Sequence, residues 1–166
     1  METRRLAAWT TGLTFLLLLV GVYTKEVGAD LTCGMNWPLC DGAVFGLFPA
    51  NLPSFIEWFH RLLALVVGLL IIYFVYRLYQ ERGAGSRITR AASLALVLLP
   101  LQAALGALTV LKTRLLGGGF HVLVEGFISV AHFGTGLGLF TALVAATLWT
   151  YEEAGRGRPG ASSGSD

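Results

Sequence analysis

The chain has 166 residues, 55% of them hydrophobic and only 13% charged, with a mean hydropathy of +0.68 and a formal net charge of +2. A composition this apolar speaks against a soluble enzyme. With so little net charge, the expected partner is a lipid bilayer and not nucleic acid.

Four windows are long and apolar enough to cross a bilayer core, which takes roughly 20 helical residues at about 1.5 Å of rise each. They cover residues 6–23, 54–76, 91–111 and 127–149. They predict an all-α membrane protein, a bundle of four transmembrane helices within residues 1–150. The first window follows Arg4 and Arg5 as a secretory signal would, but its apolar run is long and no small-residue cleavage site follows, so a retained helix is expected. Next comes an outer loop over 24–53, rich in glycine, proline and aromatic residues, which holds the two cysteines, Cys33 and Cys40. Loops this long without regular structure are uncommon and often functional. Residues 80–90 read as a short polar turn, the second outer segment carries Gly117, Gly118, Gly119 and His121, and 151–166 reads as a disordered tail.

Basic residues set the predicted orientation. Arg4, Arg5, Arg77, Arg82, Arg87, Arg90, Arg156 and Arg158 fall on one side, and Lys25, Arg61, Lys112 and Arg114 on or near the other. This excess places both termini and the 80–90 turn in the cytoplasm, in a multi-pass protein of a prokaryotic plasma membrane. Both cysteines then face outward, where a disulfide persists. The two hairpins also resemble each other. Each opens with arginine and small residues, crosses outward, and returns on a helix with one histidine near its outer end, a pattern expected of two repeats related by an axis along the membrane normal.

His60 follows Pro53 by seven residues and His132 follows Gly126 by six, so both lie about 9–10 Å below their predicted helix starts. An ionisable side chain inside a span is a functional-site hypothesis by default. Two imidazoles at one depth on helices running the same way suit axial ligation of a haem iron. Ala64 and Gly68 after His60, and Gly134, Thr135, Gly136 and Gly138 after His132, leave space for a flat macrocycle, although small residues equally serve close helix packing. His121, near the interface, is a candidate for propionate contact or proton transfer. Lys25, Arg61, Lys112 and Arg114 lie near the same outer level, either as propionate partners or as snorkelling interfacial cations.

Glu57 precedes His60 by three residues and shares its helical face. Two readings stand side by side. A carboxylate partly inside a membrane can carry a proton or act as a base beside a bound cofactor; alternatively, Glu57 is a first-turn acid favoured by the helix dipole, in a capping box with Ser54. The cysteines are likewise open between a staple that shapes a lid and a redox pair reset by a thioredoxin-like reductant.

Several segments resemble the haem A synthase family. Thr24-Lys25-Glu26-Val27-Gly28-Ala29-Asp30-Leu31-Thr32-Cys33, followed by Trp37-Pro38-Leu39-Cys40-Asp41-Gly42, is similar to that family's first outer loop. Glu57-x-x-His60-Arg61-Leu62 resembles its helix 2 motif, and Leu101-Gln102-x-x-Leu105-Gly106-x-Leu108-Thr109-Val110 its helix 3 signature. His132 falls where helix 4 carries the second ligand. The resemblance implies oxidation of the ring methyl of haem O to a formyl, giving haem A for terminal oxidases. It makes His60 and His132 the axial ligands, Glu57 the catalytic carboxylate, and Cys33 and Cys40 the outer-loop pair. It also implies haem b as cofactor or haem O as substrate, and a haem O synthase as a neighbour. With both axial positions filled, either one histidine leaves during turnover or the iron relays electrons while water supplies the oxygen.

Typical members have eight spans in two similar halves, and this chain resembles the N-terminal half. A homodimer would rebuild the eight-helix arrangement. The competing expectations are a four-helix bis-histidine b-type cytochrome that leaves its haem unmodified, and a thiol-disulfide membrane protein centred on Cys33 and Cys40.

Overall fold

The computed structural model describes residues 2–29, 32–33, 49, 51–115 and 121–156, without the side chains of 112–115 and 121–122. The described chain is four α-helices: α1 (Thr3–Glu26), α2 (Leu52–Arg82), α3 (Arg87–Leu115) and α4 (His121–Arg156). All four contain stretches long and apolar enough to cross a membrane, and the chain is a multi-pass membrane protein.

Local chemistry sets the described helix ends. Asn51 caps α2, its side-chain oxygen accepting from the Ser54 N–H at 2.9 Å, with Pro53 in the first turn, where a missing N–H loses nothing. The same helix stops at Gly83, whose φ of 73° is left-handed and whose N–H reaches the Tyr79 carbonyl at 3.1 Å. Gly28 plays the equivalent part after α1, at a φ of 67°. Pro100 sits inside α3 and cannot donate to the carbonyl one turn back, a defect that membrane helices tolerate when neighbours cover it.

The helices outrun the predicted apolar windows. At 31 residues α2 is about 46 Å long, against roughly 30 Å of hydrocarbon. The surplus turns are polar and laced together. The Thr3 hydroxyl donates to Glu81 at 2.6–2.7 Å, Arg82 pairs with Glu153, and Arg87 pairs with Glu152 at 2.9 Å. These pairs carry α4 through residues 151–156, so the expected tail cannot begin at 151; residues 157–166 lie outside the described residues. His121, expected in a loop, is the first residue of α4.

The helices form a ring. α1 packs on α2 and α4, and α3 packs on the same two, leaving α1/α3 and α2/α4 as the diagonals. Neighbours run antiparallel. Thr11 Oγ1 lies 2.8 Å from Thr147 Oγ1 near one end of the α1–α4 pair, while Lys25 meets Ser129 near the other. Buried apolar side chains concentrate in the end that holds the α2–α3 turn, where Leu6, Ile71, Phe74, Leu78, Ile88 and Leu143 are fully buried. Large exposed side chains such as Trp9, Leu65, Leu69, Val97 and Val130 form an apolar outer surface suited to acyl chains.

Candidate functional site

The opposite end of the bundle holds His60, His132 and Glu57. His60 lies eight residues into α2 and His132 eleven residues into α4, so distance from the helix start does not match their depths as the sequence suggested. What they share is a seat. A Cβ placed on Gly21 of α1 would lie 2.9 Å from His60 Cε1, and one placed on Gly106 of α3 would lie 3.1 Å from His132 Cε1. Each imidazole therefore lies flush against a glycine of the preceding helix, which is the expected hairpin repeat in side-chain detail. The Nδ1 atom of each ring is buried and unpaired in side-chain geometry among the described residues. Buried imidazole nitrogens are normally satisfied; in a metal-bound histidine Nδ1 is commonly the nitrogen given to a hydrogen-bond acceptor, so an iron would be met through Nε2 of each ring.

The glycines that meet the histidines are not those singled out from the sequence. Gly136 receives the Gln102 amide and Leu18, with a Cβ there only 2.9 Å from Gln102 Nε2, and Gly68 receives Leu99. Gly134 and Gly138 lie on the exposed side of α4. The small residues following each histidine thus serve helix packing or face outward, whereas the room beside the imidazoles comes from Gly21 and Gly106. The missed signal was a glycine on the helix before each histidine, legible only once helices are paired. Gln102 was also missed as an interior residue; its Oε1 is buried without a partner.

Glu57 is 3% exposed. It is the sixth residue of α2, past the first turn, and it forms no capping box, since Asn51 already caps the helix. Its Oε1 pairs with Arg61, and its Oε2 accepts from the Cys33 N–H at 2.7 Å and from the Thr32 hydroxyl at 3.3 Å. Ser54 completes the junction by donating its hydroxyl to the Thr32 carbonyl at 3.2 Å. The carboxylate is thereby held one turn outward of His60, with a cation on one oxygen and the Cys33 N–H on the other, while the Thr32 hydroxyl shares its one proton between the Ala29 carbonyl at 2.8 Å and Glu57 at 3.3 Å. Cys33 is fully buried at this junction.

On α4 the position three before the histidine is Ser129, and Lys25 of α1 donates to its hydroxyl at 2.8 Å. Of the other sequence candidates, Arg61 is brought into the site as the partner of Glu57. Cys40 and the side chains of His121, Lys112 and Arg114 lie outside the described residues. Among the described residues no three His, Cys, Asp or Glu side chains cluster to hold a metal ion. Two imidazoles suit an iron whose remaining ligands come from a macrocycle, and the paired glycine seats fit that group.

Fold and site together define a multi-pass helical membrane protein built around a pair of glycine-seated histidines. The chain belongs to the cytochrome oxidase assembly protein family, whose model matches residues 4–164. It is 31% identical over 144 residues to the haem A synthase of Bacillus licheniformis, covering 86% of this chain and 43% of that protein. It is also 31% identical over 150 residues to the haem A synthase of Bacillus pumilus, covering 90% of this chain and 45% of that one. A protohaem IX farnesyltransferase of Haloarcula marismortui is 35% identical over 152 residues, covering 90% of this chain and 29% of that protein. The chain thus spans less than half the length of each of these relatives. No solved structure matches it.

Proposed function

We propose that this chain is a haem A synthase-type membrane oxidoreductase that takes haem O and oxidises a ring methyl to a formyl, with an external electron acceptor taking the four electrons and water or dioxygen supplying the oxygen atom; His60 and His132 would hold the haem iron. The observation that carries this reading is the pair of glycine-seated imidazoles beside the buried carboxylate of Glu57. The names of both sets of relatives agree on a haem as the molecule handled. When bound, the haem supplies redox chemistry through its iron. The chain's own part is to hold the macrocycle between α2 and α4 and to keep Glu57 at a fixed place near its outer edge. There Glu57 accepts a proton during oxidation of the methyl, with Arg61, Thr32 and the Cys33 N–H fixing its oxygens. Family activity in the membrane also fits a Cys33–Cys40 pair closing the outer loop, termini on the cytoplasmic side of the plasma membrane, and assembly as a homodimer.

A second reading, a b-type cytochrome that leaves its haem unchanged, is favoured by one feature: Glu57 is so fully bonded that it also works as a strut between α2 and the loop at Cys33. Pigment extraction separates the two. Cells expressing this chain with a haem O synthase accumulate haem A or its hydroxylated precursor if the enzyme reading holds, and Glu57→Gln accumulates neither. Wild-type cells that yield unmodified haem O alone, from a protein that carries haem, support the cytochrome.

A further inference from the structure

The positions three residues before the two histidines are matched in place and opposite in chemistry. Glu57 stands before His60 and Ser129 before His132, and each is met by one cation. Arg61 approaches Glu57 from the same helix, so that pair is neutral and buried. Lys25 approaches Ser129 from α1, and its ammonium has only a neutral hydroxyl as partner. Among the described cations Arg4, Arg61, Arg77, Arg82, Arg87 and Arg156 each pair with a carboxylate, whereas Lys25 at the histidine end, like Arg5 and Arg90 at the opposite end, does not. At the described mouth Lys25 is therefore a cation with no ion pair to a described carboxylate, on the α1–α4 side, one turn outward of His132, with Glu26 next to it in sequence and Glu125 one turn further out on α4. A haem offers the complementary group, since its two propionates lie on one edge of an otherwise apolar disc.

We propose that Lys25 is the propionate anchor of this site, binding a carboxylate of the macrocycle and so selecting which edge faces α1 and α4. The assignment rests on the haem reading above. It gives the two hairpins different tasks: the α1–α4 side holds the acidic edge, and the α2 side presents Glu57 to the rest of the ring. Because the ammonium donates to a hydroxyl, it is already held in place and loses little side-chain freedom on meeting a carboxylate.

The test compares haem b with its dimethyl ester, in which both carboxylates are masked, titrated into the purified protein in an uncharged detergent that excludes lipid phosphate. Binding is followed by the low-spin absorption spectrum of bis-histidine ligation. A charge-assisted contact predicts that Lys25→Gln weakens free-acid haem about tenfold while changing the ester less than about twofold. Lys25→Arg restores the preference for the free acid. Raising the salt concentration narrows the gap between the two haems in the wild type, because the contact is exposed. Equal weakening of both haems by Lys25→Gln, or no change in either, overturns the assignment and leaves the histidine site standing. A wild-type protein that forms no low-spin spectrum with either haem overturns the haem reading and the anchor with it.

Discussion

The two histidine seats are built to one plan and finished differently. In each, an imidazole on the returning helix of a hairpin lies against a glycine on the outgoing helix, and its Nδ1 is buried without a partner among the described residues. Around His60 the surroundings are closed: Glu57 is 3% exposed, paired with Arg61 and tied to the loop through the Cys33 N–H. Around His132 they are open, with Ser129 and the exposed Lys25 at the equivalent level. A repeated scaffold fixes where two histidines stand, and the residues one turn away differ between them. On the function proposed above, two similar halves would thereby share one flat ligand without playing the same part.

The largest expected effect tests the likeness of the seats. His60→Ala and His132→Ala each abolish the six-coordinate, low-spin spectrum of the haem-loaded protein. A variant that keeps this spectrum shows that its histidine is not a ligand and that the seats are not equivalent. The next effect tests the difference. Glu57→Ala removes the buried carboxylate that Arg61 and the Cys33 N–H bond to, and breaking a largely buried pair from one side costs about 3 kcal/mol. Ser129→Ala removes one half-exposed hydrogen bond, worth about 1 kcal/mol. Reversible unfolding in mixed micelles measures both, and equal losses would erase the distinction between a closed and an open seat. A third effect, smaller than that of Glu57→Ala, concerns the glycines. Gly21→Ala and Gly106→Ala push a Cβ against an imidazole held by its own helix, an overpacking worth about 1–3 kcal/mol. The shift is larger at Gly21, where the approach is 2.9 Å against 3.1 Å. Haem affinity and the position of the Soret band report it, and an alanine accepted silently at both sites would mean that the rings do not rest there.

Much of this was legible in the chain. Apolar windows marked four helices, because a bilayer imposes length and polarity on every span whatever its neighbours are. His60, His132 and Glu57 stood out because each is an ionisable group in an apolar run. Other expectations went astray where helix partners mattered. Gly134, Gly136 and Gly138 were assigned to a cofactor cradle, yet Gly136 holds Gln102 and Leu18, and the other two lie on the exposed side of α4. Ser54 and Glu57 had the spacing of a capping box, but Asn51 reached the helix end first and freed Glu57 to bind the loop. Depth was measured from predicted helix starts, and α4 begins at His121, well before Gly126.

Residue type and spacing alone therefore determined the number of spans, the family resemblance and the identity of the charged residues that a membrane would not carry without purpose. Which glycine faces which imidazole, which cation Glu57 meets, and that Lys25 meets none of the described carboxylates were decided only by tertiary structure. The physical reason is that spans are selected by the transfer of each segment into lipid, a local property, whereas a seat or an ion pair exists only between helices. Its partners are residues such as Gly21 and His60, or Lys25 and Ser129, which no periodicity in one helix can bring together.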